Sequence, residues 1–429
     1  MSEAVTYPGS SRPPAAPRAR SRQAPVPRRG RPSRRRAAAR QRTHRGGDRG
    51  GAGLARSGGD AGAPARLTAT LDLLDLLLER RAQAGERYFA AEADRLARLC
   101  LSLAERFERG GRLLAVGGSG QAWSDAHHVA VEFVHPVIVG KRALPALAVA
   151  PGDLALLAGE RDMTISFEPL TVVAGERWEL EPDDEDPFVR QELAETAYHV
   201  LWELVHVFFE HLGGSSAGGG ASGFLYPFLE PRGDNLDAVV ADVRASVAMK
   251  ANEVAELRLE TIAGGREELV AAAALLRRAL GAGGTLLAFG NGGSATDAMD
   301  VVADFRSAPQ GWAPRRALSL TDPAVLSALA NDIGAASLYQ RQLIAYGRPG
   351  DVALAITTSG NSANVIEALV EARRRGLVTI ALVGYDGGRI AAERLADHVV
   401  VTPSQHIPRI QEAQATAYHL LRELVERPT

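Results

Sequence analysis

GGTLLAFGNGGS, residues 283–294, decides how this chain is read. Four apolar residues, Leu286 to Phe289, stop abruptly at glycines and a serine, and a helical pattern follows from about Ala295. A short all-apolar strand, a tight glycine turn and a helix make one unit of a parallel sheet covered on both faces. Outward from it, Leu269 to Leu280 reads as a helix. ALSL (317–320), DVALAIT (351–357), VTIALVG (378–384) and HVVVTP (398–403) read as strands. Ala363–Arg375 reads as a helix, and a long helix begins near Pro408 with RIQEAQATAYHLLRELV.

The same order occurs earlier. An apolar helix (Leu96 to Phe107) precedes GGRLLAVGGSG (110–120), a helix from near Ala122, the strand PALAV (145–149), and a long helix from Pro187 with RQELAETAYHVLWELV. Gln-Glu…Thr-Ala-Tyr-His recurs at identical spacing, which indicates an internal duplication. The first copy is short. His128 and Gln191 are 63 positions apart and Asp300 and Gln411 are 111, so about 48 residues of sheet and loop are missing. GGSSAGGGASG (213–223) reads as a flexible linker. The expected organisation is a basic tail at 1–65, a shortened lobe at 66–212, the linker, and a full lobe at 224–429. The fold class is α/β: two three-layer αβα lobes with parallel sheets, flavodoxin-like.

A net charge of −2 hides an asymmetry, because residues 1–60 hold 15 arginines against Glu3, Asp48 and Asp60 and carry +12. That Pro/Arg/Gly/Ala tail has too little apolar surface to offset its ordering entropy and is expected to be disordered. It offers a nucleic acid phosphate contacts but no interleaved aromatics for stacking, so nucleic acid is an unlikely partner apart from the tail. The single cysteine, Cys100, lies on the Leu96–Leu99–Leu103 stripe and reads as a core residue; no intrachain disulfide can form. No apolar run approaches the ~20 residues of a membrane span. A cytoplasmic protein with no membrane partner is expected.

Two loops carry chemistry. In Gly290–Ser294, Asn291, Gly292, Gly293 and Ser294 sit between strand and helix, where backbone and hydroxyl donors meet an anion. In Thr357–Ser362, the hydroxyls of Thr357, Thr358, Ser359 and Ser362, with Asn361, cluster at a strand's carboxyl end, where open α/β sheets bind ligands. Each loop alone is also consistent with a plain turn or an N-cap. No Walker lysine and no GxGxxG spacing accompany them, which disfavours ATP and NAD.

GNGGSATDAMDVVADF, TTSGNSANVIEAL, VGYDGG and RIQEAQATAYH together resemble the sugar isomerase (SIS) superfamily, most of all its sedoheptulose-7-phosphate (phosphoheptose) isomerase branch. SDAHHVAVEF and RQELAETAYH in the first lobe resemble it in shortened form. The resemblance implies an aldose–ketose isomerase moving a proton between adjacent carbons through an enediol, one zinc ion per site, and sites at subunit interfaces. It further implies four SIS units, which two lobes per chain would supply as a homodimer. The zinc ligands it implies are a His and a Glu one turn apart, with a Gln and a His eight apart on the last helix. The Glu is also the base, and that His its acid/base partner.

Carried over, these positions are His128, Glu132, Gln191 and His199 in the first lobe and Asp300, Asp304, Gln411 and His419 in the second. The expected catalytic residues are Glu132 and His199, with Asp304 and His419 as their equivalents. Gln411 also counts among the substrate-contacting residues. The lobe that keeps the metal set has lost the phosphate loop, and the lobe that keeps both loops has aspartates for His and Glu. A composite site is therefore expected, with His128 and Glu132 from one lobe and Ser294, Thr357, Ser359 and Ser362 from the other. The competing reading is a non-catalytic sugar-phosphate sensor or scaffold.

Overall fold

The computed structural model describes residues 63–136, 141–170, 176–212, 236–307 and 311–427. The linker at 213–223 and the tail, up to the first residues of α1, lie outside these. The first half runs α1 (Ala63–Glu108), β1 (Leu113–Val116), α2 (Gly120–Val134), β2 (Ala146–Val149), α3 (Leu154–Leu157), β3 (Met163–Ser166), β4 (Glu176–Glu179) and α4 (Pro187–Leu212). The second runs α5 (Leu236–Gly281), β5 (Leu286–Phe289), α6 (Gly293–Ser307), β6 (Ala317–Ser319), α7 (Pro323–Asp332), α8 (Leu338–Tyr346), β7 (Val352–Thr357), α9 (Ala363–Arg374), β8 (Val378–Gly384), α10 (Gly388–Ala392), β9 (His398–Thr402) and α11 (Ile407–Glu426).

Both sheets are parallel and share one order, β2-β1-β3-β4 and β6-β5-β7-β8-β9. Every residue of β1, β5 and β7 is buried, as strands covered on both faces require. The first lobe is the truncated one. Among the described residues it has one strand fewer, and the four-residue α3 follows β2 where α7 and α8 follow β6. Its outer face is closed by a small cluster, Leu114, Val116, Val149 and Leu154. The second sheet's outer face buries Leu287, Phe289, Ala353, Ala355, Leu369 and many more.

Two helices exceed the sequence reading. Leu96–Phe107 and Leu269–Leu280 are the ends of α1 and α5, each a single helix of 46 residues. The two pack on one another and exchange their first halves. Leu74, Leu77 and Leu78 of α1 lie in the second lobe's core with Ile262, Val301 and Tyr418. Val239, Val240, Val243 and Val247 of α5 lie in the first lobe's core with Leu96, Trp202 and Phe208. Each lobe thus completes its core with a helix belonging to the other half.

Candidate functional site

Four helices meet where the lobes join: α2 packs on α6, α4 on α11, and each pair on the other. Proline in the first turn sets the entry to α4 and α11. The contact is lined by polar side chains buried almost completely, an arrangement that costs free energy unless each group is paired or serves a ligand. Two clusters result, each assembled from both lobes.

In the first cluster His128 and Glu132, one turn apart on α2, face His199 on α4. His128 Nε2 lies 3.2 Å from His199 Nε2, 3.2 Å from Gln411 Nε2 and 3.8 Å from Glu132 Oε1. His199 Nδ1 is 3.0 Å from Glu412 Oε1, and His128 Nδ1 is 3.5 Å from Asp297 Oδ1. With each Nδ1 turned to a carboxylate, the two Nε2 atoms present lone pairs to one another across a space that also receives Glu132. Glu132 Oε2 and Gln411 Oε1 have no hydrogen-bond partner there. A half-turn of the Gln411 amide would bring that oxygen in as well. As placed, the Gln411 N–H is the donor in that space; with the amide turned, two imidazoles, a carboxylate and an amide oxygen converge, a set that suits zinc. His128, Glu132 and His199 lie within metal-sharing range. Burial lowers His128, with His199 adding to the effect, and it lowers His199 to about 3, helped by Arg409; both are neutral and ready to ligate. Burial pushes Glu132 up to about 8, opposed by the Gln411 amide.

Gln191 does not join this cluster, contrary to the sequence reading. Its Nε2 donates to Asp125 Oδ1 at 3.1 Å, and the amide beside His128 is Gln411, from the other lobe. Gln411 crosses because α4 and α11 lie side by side, whereas Gln191 stays with Asp125 on α2 of its own lobe.

The second cluster has the same plan and a different outcome. Asp300 and Asp304 of α6 face His419 of α11, whose Nε2 lies 3.6 Å and 3.4 Å from their Oδ2 atoms. His419 Nδ1 is 3.0 Å from Glu192 Oε1. Burial would lower His419, but Asp300, Asp304 and Glu192 raise it well above its ordinary value, so it is a cation held among carboxylates. His419 Nε2 and Asp304 Oδ2 have no hydrogen-bond partner, and Asp300, Asp304 and His419 also lie within metal-sharing range, but neighbours take the other carboxylate oxygens. Gln121 Nε2 donates to Asp304 Oδ1 at 2.7 Å, Ser124 to Asp300 Oδ1 at 3.0 Å, and the Tyr418 hydroxyl to Asp300 Oδ2 at 2.9 Å.

The two clusters also differ in space. Counting seven residues back from His128 and from Asp300 reaches Gln121 and Gly293, each just after a glycine at φ +58°. Gln121 fills the second cluster. Gly293 leaves the first one open: a Cβ there would stand 2.8 Å from His128 Nε2 and 2.9 Å from Glu132 Oε1, and against Gln411 Nε2. The glycine loop of the second lobe therefore lies directly on the His/Glu cluster of the first.

That loop is tied to the hydroxyl loop. Asn291 and Asn364 exchange hydrogen bonds of 3.0 and 2.8 Å, and a Cβ on Gly290 would meet the Ile356 carbonyl at 2.6 Å. Gly292 turns the chain and Ser294 is buried in the first turn of α6. Thr357 is buried, Thr358, Ser359 and Ser362 are half-buried, and Asn361 is exposed. Ser362 begins α9 without using its hydroxyl as a cap. A cavity of about 640 Å³ opens beside Ser359 and Asn361, with Tyr385, Ser404 and Gln405 on its far side. The matching place in the first lobe has Glu168 against Gly118, where a Cβ would meet Oε1 at 2.8 Å, and its cavity of about 590 Å³ is lined by Glu168, Glu181, Asp183 and Asp184. Arg190 is the one basic residue among this acidic lining, which makes the place a poorer match for a phosphate than the hydroxyl loop.

Sequence reasoning missed Asp297, Asn364 and Glu412. Glu412 adjoins Gln411 in the repeated Gln-Glu pair, which was a signal. Asn364 had none.

The chain is similar to known proteins. Residues 251–384 match the SIS domain. The phosphoheptose isomerase of Aquifex aeolicus is 42% identical over 176 residues, which is 41% of this chain and 91% of that protein. That of Geobacter sulfurreducens is 40% identical over 196 residues, 45% of this chain and 97% of that protein. Among solved structures, phosphoheptose isomerase GmhA from Neisseria gonorrhoeae is 36% identical, covering 43% of this chain and 98% of that one, with a TM-score of 0.40. Among the described residues no helix is long and apolar enough to cross a membrane.

Proposed function

We propose, from the premise that the chain belongs to the phosphoheptose isomerase family of SIS-domain proteins, that it isomerises a seven-carbon sugar phosphate, sedoheptulose 7-phosphate to glycero-manno-heptose 7-phosphate, at one site shared between its lobes. The observation that carries this is Gly293, a member of the second lobe's anion loop, lying against His128 and Glu132 of the first. The loops at Asn291–Ser294 and Thr357–Ser362 hold the phosphate through backbone N–H groups and hydroxyls. His128, Glu132, His199 and Gln411 would hold one zinc ion, which when bound would supply Lewis-acid polarisation of a sugar oxygen.

Glu132 takes the proton from the carbon beside the carbonyl and returns it to the neighbouring carbon, through an enediol. Its burial keeps its affinity for a proton near neutrality, where a general base is most effective. It has an oxygen for each task, since Oε1 faces His128 and Oε2 is without a partner. His199 has both ring nitrogens engaged, Nδ1 toward Glu412 and Nε2 toward the cluster, and serves as a ligand rather than a proton carrier. The Asp300–Asp304–His419 cluster holds the lobes together without metal or turnover. Tandem duplication followed by complementary loss explains both clusters, and a homodimer would assemble four SIS units.

The test is an isomerase assay on the full chain with sedoheptulose 7-phosphate, with zinc and after chelation. Turnover that chelation abolishes and zinc restores is expected. Saturable binding of the sugar phosphate without turnover would overturn the enzyme reading in favour of a sensor.

A further inference from the structure

Glu412 belongs to the second lobe yet lies 3.0 Å from His199 Nδ1 in the first, and both side chains are fully buried. Its other oxygen is 2.9 Å from Arg409 Nη1. Arg409 in turn donates to Glu203 Oε1 at 3.0 Å, and Lys250 of α5 closes an ion pair with Glu203. Positive and negative groups therefore alternate from Lys250 through Glu203, Arg409 and Glu412 to His199, crossing from α5 through α4 to α11. A buried row of this kind costs desolvation and is weak evidence for stability. It does fix direction. With Arg409 against one oxygen, the other is left to accept from Nδ1–H, which keeps the Nε2 lone pair aimed at His128 and Glu132.

A related unit is built a second time from a different arginine. Glu192 Oε1 lies 3.0 Å from His419 Nδ1 and 2.9 Å from Arg81 Nε of α1, which also reaches Glu423 at 2.9 Å; here histidine and arginine share one oxygen, and Thr416 donates to the other. In the first unit the arginine comes from α11 itself; in the second it comes from α1. A carboxylate–arginine–carboxylate clamp behind the histidine, assembled by two routes, is a built feature rather than an accident of packing.

We infer that Glu412, clamped by Arg409, is a positioning residue that fixes the tautomer and ring orientation of His199 for the metal, so that the second lobe controls metal affinity in the first. This rests on the reading of His128, Glu132, His199 and Gln411 as the metal site. Carboxylates that orient a ligating imidazole are worth about 10–100-fold in metal affinity.

The experiment is zinc competition against a chromophoric chelator on the full chain, wild type and Glu412→Gln, with the thermal midpoint of each metal-free protein and the visible spectrum of each cobalt-loaded one. Expected are a zinc Kd raised 10–100-fold in E412Q, an altered cobalt spectrum, and a metal-free midpoint close to wild type. An unchanged zinc Kd in folded E412Q overturns the inference. Should E412Q not fold, histidine ¹⁵N NMR on the wild-type protein reads the tautomer directly: Nδ1–H at His199 supports the inference and Nε2–H overturns it. Zinc binding by wild type without isomerase turnover would defeat the enzyme reading and leave this one standing. No zinc binding by wild type would defeat the metal site itself.

Discussion

The two buried clusters share four helices, the same i,i+4 spacing and the same histidine eight residues beyond a glutamine, yet they reach charge balance in different ways. Around Asp300 and Asp304 the positive charge is His419 itself, and Gln121, Ser124 and Tyr418 take up most of the remaining oxygens. Around His128 and Glu132 the histidines are both shifted toward the neutral form, the nearby Arg409 faces Glu412, and Gly293 keeps a space where Gln121 stands in the other cluster. On one helix framework, a glycine leaves a space at one cluster and a glutamine side chain fills the other. What separates the two is a few atoms at one helix start and the charge of two side chains.

The largest effect expected from breaking this comparison is on turnover. Glu132→Gln should lower kcat by about 10²–10⁴, the range of a lost general base, whereas Asp304→Asn should stay within about threefold and show itself in the thermal midpoint. Equal losses from both would mean that both clusters turn over. Next is space: Gly293→Gln plants the second cluster's plug in the first, and zinc binding should weaken at least about 100-fold in a protein that still folds, since the new Cβ lies against three ligands. Metal analysis of wild type should correspondingly find one zinc per chain. The two glutamines give a smaller effect. Gln411→Ala should weaken zinc about tenfold and Gln191→Ala hardly at all; the reverse result would restore the uncrossed quartet. Smallest, Ser359→Ala should raise KM for the sugar phosphate about tenfold, the worth of one hydrogen bond to a charged group, with kcat little changed.

Much of this was legible in the sequence. Strand-glycine-helix units fixed the sheet class, because an all-apolar run of four to seven residues has few other uses, and the matched spacing of His128 with Asp300 and of His199 with His419 exposed both clusters. The expected division of labour, hydroxyl loops from one lobe and His128 with Glu132 from the other, came from the resemblance to the SIS family carried over residue by residue. Three features were out of reach. The crossing of Gln411 into the first cluster depends on how α4 lies against α11, which no local pattern records. The length of α1 and α5 was hidden because their first halves face the opposite lobe, so their apolar residues answer to a distant partner. Glu412 and Glu192 read as ordinary acids on amphipathic helices until each is seen 3.0 Å behind a histidine.

The exchanged halves of α1 and α5 have a consequence for how the chain comes into being. Leu74, Leu77 and Leu78 find their core partners around Tyr418, and Arg81 finds Glu423, across 342 positions of sequence. During synthesis from the N-terminus, the opening stretch of α1 must wait, apolar face uncovered, until the last helix has left the ribosome. Such late, long-range closure slows folding and invites association between neighbouring nascent chains. It also means that two complementary fragments, cut between α4 and α5, have every reason to find each other, since neither half can close its own interior alone.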